Sequence, residues 1–204
     1  MRQLIVLVVL LASCSLFAQN FGVRAGLNYG KFLESAPLAD YTAEHRFIPT
    51  VHLGLVADVS LSDQTLIQAE ILYNVMGTKS TVAGALDESK IRLSYLSVPI
   101  AFAYQPIDML RIYAGGEAGY LMGANQQTAG VSNDITPFYQ DFSVGVFGGI
   151  QLNTMIGFTI GLRSYLGGTD LLLENDLYDE NGILIGSRTA RNFNTQLTLG
   201  YYFN

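Results

Sequence analysis

From Phe21 onward the chain alternates between apolar and small or polar residues instead of repeating at helical spacing. Phe21, Val23, Ala25, Leu27 and Tyr29 share one face of an extended segment, and Gly22, Arg24, Gly26, Asn28 and Gly30 share the other. The pattern returns in Val51, Leu53, Leu55, Ala57, Val59 and Leu61, then in Ile67, Ala69, Ile71, Tyr73 and Val75. A fourth segment sets Leu96, Val98, Ile100, Phe102 and Tyr104 against Tyr95, Ser97, Pro99, Ala101 and Ala103, with a change of phase at Tyr95-Leu96 that predicts a bulge. Ile112 to Met122, Phe142 to Leu152, Ile156 to Leu162 and Phe193 to Phe203 complete eight strands.

The connections alternate in length. Short turns are expected near Ser62 to Gln64, Gln105 to Asp108 and Asn153 to Thr154, and long loops over Lys31 to Arg46, Thr78 to Lys90, Gly123 to Phe138 and Gly167 to Ala190. Three short and four long connections suit an all-β, eight-stranded antiparallel up-and-down barrel with both termini at the short-turn end.

Which face points outward is decided by charge and size. A transmembrane barrel is greasy outside, whereas a soluble ligand-binding barrel of the lipocalin kind has the opposite arrangement. The polar faces carry six charges in strand interiors, Arg24, Asp58, Glu70, Arg111, Glu117 and Arg163, and all three lysines sit in or beside loops. A water-facing surface carries many more charges. Half the 204 residues are hydrophobic and only 14% are charged, yet no apolar run after residue 18 approaches the roughly 20 residues of a membrane helix. The chain therefore reads as a transmembrane β-barrel in the outer membrane. With 11 Lys+Arg against 17 Asp+Glu, it offers no basic surface for nucleic acid.

Residues 1–18 read as a secretory signal, with Arg2 ahead of the apolar run Leu4 to Ala12 and cleavage after Ala18, leaving 19–204 as the barrel domain. Leu11-Ala12-Ser13-Cys14 also fits a lipobox, so a lipoprotein acylated at Cys14 is the alternative. Cys14 is the single cysteine, so cleavage at Ala18 leaves no thiol for a disulfide or metal site within one chain.

Four stretches resemble the PorT-type outer-membrane β-barrel proteins of Gram-negative bacteria. They are Phe21 to Asn28, Gln68 to Tyr73 followed by Gly77, Tyr95-Leu96-Ser97-Val98-Pro99, and Arg163 to Leu171. The resemblance implies a small porin-like barrel and a loose association with protein secretion. One departure lies at the C-terminus, where Asn204 follows the aromatic Phe203. Leu199, Tyr201 and Phe203 still alternate as the signal read by the barrel-insertion machinery.

For chemistry, the six interior charges are expected to form an ion-pair network filling a closed lumen, with Arg24 and Arg111 bridging Asp58 and Glu70, and Glu117 facing Arg163. Such charges must be paired in a medium of low dielectric. The function expected is non-enzymatic: an envelope structural, binding or assembly component acting through long loops. The alternatives are a lipid-modifying outer-membrane enzyme or a narrow channel for small solutes. His45 is expected as a solvated loop residue and His52 as an inward residue able to pair with a lumenal carboxylate. No Gly-x-Ser-x-Gly or His-Glu-x-x-His pattern occurs. The last loop interleaves Glu174, Asp176, Asp179 and Glu180 with Tyr178 and leucines, which makes it a candidate contact for a surface or envelope protein. Asp179-Glu180-Asn181-Gly182 lacks the ligand spacing of a calcium loop, so neither a metal nor a cofactor is expected. Outer-membrane lipid and lipopolysaccharide are the expected surroundings.

Overall fold

The computed structural model describes residues 20–35, 44–81, 88–173, 176–178 and 184–203. The expected signal segment and Cys14 lie outside them. Among the described residues no helix is long and apolar enough to cross a membrane. The strands are β1 (Asn20–Ser35), β2 (Glu44–Arg46), β3 (Ile48–Ser60), β4 (Thr65–Thr81), β5 (Ser89–Ile107), β6 (Leu110–Thr128), β7 (Val131–Asp134), β8 (Phe142–Asn153), β9 (Phe158–Gly167), β10 (Asp176–Tyr178), β11 (Leu184–Ser187) and β12 (Thr189–Phe203). Eight of these close an antiparallel ring in the order β4-β3-β1-β12-β9-β8-β6-β5, with β5 returning to β4. The seam joins first strand to last, running from Phe21 opposite Phe203 to Ser35 opposite Thr189. A closed ring leaves no edge, which is what a sheet in hydrocarbon requires.

Alternation sets the two faces as the residue pattern demands. Leu27, Leu53, Val98, Ile100, Ile160 and Leu199 point outward, whereas Arg24, Asn28, Glu70, Arg111, Glu117 and Gln196 are buried inside. Outward aromatics meet in pairs near both rims. Phe21 stacks on Phe203 at 6.0 Å and Phe158 meets Tyr201 at 4.9 Å near the short turns; Tyr29 stacks on Phe47 at 4.8 Å and Tyr120 meets Phe142 at 5.2 Å near the long connections. Tyr is favoured at such boundaries because its ring is apolar and its hydroxyl wet.

Four sequence expectations need correction. First, much of the supposed long loops is strand. β5 and β6 each run 19 residues, although about ten suffice to cross a bilayer, so their far ends project beyond it. Second, β5 has no bulge at Tyr95-Leu96, because Leu93, Tyr95 and Ser97 all point inward without a break. The register shift is on β6: Ser94 and Tyr95 oppose Gly123 and Leu121, leaving Met122 as the extra residue. What changes along β5 is polarity, not geometry. Third, Ile156 belongs to a turn between β8 and β9, where Gly157 at φ +86° takes the left-handed conformation and the Thr154 hydroxyl donates to the Phe158 carbonyl at 2.9 Å. Fourth, part of the last connection is a separate two-stranded hairpin of β10 and β11.

Candidate functional site

The site is the lumen, where every strand of the ring sends polar side chains to one axis. All six charged residues picked out by alternation are there, none more than 6% exposed. Glycine makes room for them: a Cβ at Gly149 would lie 2.6 Å from the Cβ of Arg163, and one at Gly26 would lie 2.6 Å from the His52 ring.

Nearest the short turns, Arg111 on β6 donates through Nη1 to Asp58 Oδ2 at 2.7 Å, to Gln68 Oε1 at 3.0 Å and to the Tyr202 oxygen at 3.1 Å. Above it Arg24 on β1 donates to Glu70 Oε1 at 2.7 Å and to the Gln151 amide oxygen, and its Nη2 lies 3.3 Å from Tyr202. Glu70 is shared, since Arg163 Nη1 lies 3.3 Å from its Oε2. Arg163 also donates to Gln196 and sits 3.6 Å from Glu117 Oε2, with its guanidinium 4.9 Å from the Phe147 ring centre. Asp58 thus pairs with Arg111, Glu70 with both Arg24 and Arg163, and Glu117 with Arg163.

Neutral amides finish the column. Gln68 donates to Glu70 at 2.6 Å, and Asn74 donates to Glu117 at 3.1 Å and accepts from Asn28 at 2.9 Å. Three guanidiniums present many donors, and this ring of acceptors is what lets them stay charged away from water. His52 does not meet a carboxylate, contrary to expectation. Its Nδ1 is 2.6 Å from Asn28 Oδ1 and its Nε2 is 3.0 Å from Thr198 Oγ1, so amide and hydroxyl take the place of charge. Below the column, a cavity of about 190 Å³ opens at the short-turn end, lined by Asn20, Asp58, Asp108, Arg111, Thr159 and Tyr202.

The sequence model of the outer membrane protein beta-barrel domain matches residues 17–172. The chain belongs to that family. Solved structures agree on the fold. Neisserial surface protein A matches with a TM-score of 0.54 at 12% identity, over 90% of this chain and 97% of that one. OprG from Pseudomonas aeruginosa matches at 0.52 and 13% identity, over 92% and 97%. Ail, the attachment invasion locus protein of Yersinia pestis, matches at 0.50 and 14% identity, over 90% and 98%. No curated protein sequence matches the chain.

Above the polar column this outer-membrane barrel is filled differently. Phe32, Met76, Leu93, Tyr95, Leu121, Tyr139, Tyr165 and Leu171 are buried together inside the projecting strands. The Tyr165 hydroxyl keeps Ser143 as a partner at 3.2 Å. His45 is no solvated loop residue. It faces inward from β2 with 10% of its side chain exposed, its Nε2 2.5 Å from Glu34 Oε2, while Arg188 Nε lies 3.5 Å from Glu34 Oε1. Thr78 Oγ1 is 3.4 Å from His45 Nδ1, but that hydroxyl is fully buried and lies 3.2 Å from the Arg46 carbonyl it donates to.

Of the loop candidates, Asp176 is exposed on β10 opposite Ser187, and the backbone of Tyr178 pairs with Leu184. Glu174, Asp179 and Glu180 lie outside the described residues. Leu199, Tyr201 and Phe203 point outward on β12 as alternation requires. Among the described residues no three His, Cys, Asp or Glu side chains gather as a metal site. Sequence reasoning passed over Tyr202 as the ligand shared by Arg24 and Arg111, although its even position on β12 puts it inward with Gln196 and Gly200.

Proposed function

We propose that the chain is a non-enzymatic, closed barrel of PorT type that serves the outer membrane as a structural, binding or assembly component through its projecting strands and loops. The observation that carries this is the double filling of the lumen. A hydrogen-bonded ionic column occupies the membrane level, and an apolar cluster around Leu93, Tyr95 and Tyr165 stands above it. An eight-stranded barrel is just wide enough to be filled by side chains, which leaves no path for sizeable solutes. The non-enzymatic reading is supported by the seclusion of Thr78 beside His45 and by the neutral partners of His52. Outer-membrane lipid and lipopolysaccharide surround the outward apolar belt in this reading. The insertion machinery would read Leu199, Tyr201 and Phe203, an association with a secretion apparatus would run through the projecting region, and export would depend on residues 1–18.

Purified protein in a planar bilayer tests the closed lumen. The expected record is a quiet baseline. Steady, large conductance would replace the closed-barrel reading with the channel one. Crosslinking in intact cells would then separate a loop-bound protein partner from a purely structural role.

A further inference from the structure

The cavity of about 190 Å³ below the ionic column takes its walls from both sides of the ring. The β5–β6 turn contributes Gln105 and Asp108, the β8–β9 turn Asn153 and Gly157, and the lumen Asp58 and Arg111. Two carboxylates therefore share this space with one guanidinium. Arg111 spends its Nη1 on Asp58 Oδ2, Gln68 and Tyr202. The Tyr202 hydroxyl also stands beside the Asp58 carboxylate, yet Asp58 Oδ1 has no hydrogen bond, in a residue only 1% exposed. A buried carboxylate oxygen without a donor is costly, so such an atom marks a place where a donor belongs.

The turn amides give their donors to the backbone instead. Gln105 Nε2 donates to the Asp108 carbonyl at 3.0 Å, and Asn153 Nδ2 to the same carbonyl at 3.4 Å. These bonds pin the Asp108 backbone at the mouth and leave its side chain exposed. Charge around the mouth has one sign. Asp63 and Asp108 are exposed on the short-turn face, whereas outside the lumen every described Lys and Arg lies toward the opposite rim. A cation is therefore drawn to this end. A calcium ion takes about six to eight oxygens, and among the described residues no three His, Cys, Asp or Glu side chains gather to begin such a set. An ammonium asks for less: its three donors match Asp58 Oδ1, the Asp108 carboxylate and the Gln105 amide oxygen. The same two turns present Ile107, Met109, Met155 and Ile156, all more than half exposed, as apolar contact for a carbon arm.

We propose that this pocket binds a primary ammonium group on a short carbon arm, with Asp58 and Asp108 as its counter-charges. A single positive charge, added to Arg111, balances the two carboxylates. Two sources can supply it. One is a free alkylamine on the short-turn side of the membrane. The other is the chain's own amino terminus, which cleavage after Ala18 leaves one residue ahead of Asn20, itself part of the pocket wall. The site lies below the column, so it stands or falls apart from the closed-lumen reading.

The test uses the full exported chain, isotope-labelled in phosphatidylcholine nanodiscs. It follows the Gly157 and Thr159 amides by NMR during titration with n-butylammonium and with n-butanol, a neutral molecule of the same carbon length. The ammonium is expected to saturate these shifts at a concentration about tenfold lower than butanol. Asp108→Asn is expected to weaken the binding about threefold, as the loss of an exposed counter-charge should. Asp58→Asn is expected to abolish saturation while keeping heat-modifiable migration. Saturation in the untreated chain assigns the site to a free amine, and saturation only after acetylation of the amino terminus assigns it to that terminus; either result supports an ammonium site. An equal response to butanol, no saturation before or after acetylation, or undiminished binding by Asp108→Asn would overturn the proposal. So would saturation of the same shifts by calcium at a lower concentration than by butylammonium, because it would make the site one for a metal ion. If Asp58→Asn does not fold, the Asp108→Asn result decides.

Discussion

The same strands build two regions of opposite polarity, and the boundary is visible on β5. From Leu96 to Tyr104 the outward residues are apolar and the inward ones small or polar, but Ile91, Leu93 and Tyr95 turn apolar side chains inward while Lys90, Arg92 and Ser94 face out. Backbone alternation passes through the boundary unbroken, so what differs is the solvent. In hydrocarbon the outer face gains nothing by being polar, and the lumen must satisfy its own charges. Above the bilayer the ordinary rule returns: apolar surface is buried inward and the outside carries lysine and arginine. Hydrogen-bonded charge therefore dominates the membrane level and hydrophobic packing the projecting level, with the apolar cluster reaching down through Tyr113 and Phe147 to Ala101 and Ala103, and Glu34 holding His45 and Arg188 above.

Removing Glu70 should break the lower region most severely. Glu70→Ala leaves Arg24 and Arg163 facing each other without their shared carboxylate, a change worth about 3–5 kcal/mol when a buried pair loses one partner. Urea unfolding of the barrel in lipid, followed by loss of heat-modifiable migration, measures it. A cost under about 1 kcal/mol would mean that the column is solvated and not a dry ionic core. Replacing both partners, Arg24→Met with Glu70→Leu, is expected to recover part of the loss, because apolar groups need no counter-charge.

Leu93→Ala is the matching test for the upper region. Leu93 is fully buried between β4 and β6, opposite Met76 and Ala124, so truncation should cost about 3 kcal/mol. Hydrogen exchange should locate the damage: amides of the upper halves of β4, β5 and β6 exchange faster while those around Glu70 and Arg111 stay protected. Uniform loss of protection would show that the two regions unfold as one.

Outward charge maps the boundary itself. Ile100→Lys places an ammonium against lipid and is expected to cost about 2 kcal/mol, whereas Gln127→Lys on the projecting part of β6 should cost less than about 1 kcal/mol. A similar cost at both positions would remove the distinction between lipid-facing and water-facing levels.

How much of this was legible depends on the region. The eight membrane strands and the inward direction of Arg24, Asp58, Glu70, Arg111, Glu117 and Arg163 follow from simple alternation, because lipid makes the two faces chemically distinct. The projecting end of β5 does not read as a strand because its alternation is inverted, and those of β4 and β6 do not because they also turn polar Thr78, Ser80, Gln126 and Thr128 inward. The same inversion makes the change at Tyr95-Leu96 look like a bulge. Partner choice inside the lumen was less legible: Glu70 shared by two arginines, Tyr202 bridging Arg24 and Arg111, and His52 held by Asn28 depend on how strands neighbour around the ring. His45 looked solvated because nothing local shows that Glu34, eleven residues earlier, lies on the adjacent strand.

The smallest effect expected separates the two regions by their access to bulk protons. Asp134, at the end of β7, accepts from the Thr136 hydroxyl at 2.6 Å and from its backbone amide at 2.9 Å. The side-chain bond first and the backbone bond second hold its carboxyl below the usual range. A depressed carboxyl stabilises the folded form above the unfolded value near 3.9, and the contribution is lost as pH falls through the lower folded value. Acidification below about pH 4 should therefore loosen the turn at Thr136–Phe138, seen as faster exchange of the Thr136 amide, before it touches the barrel. Asp134→Asn should remove that pH dependence while leaving an acceptor for both bonds. If the turn in the native chain keeps constant protection across this range, Asp134 is not what ties the upper region to the pH outside the membrane.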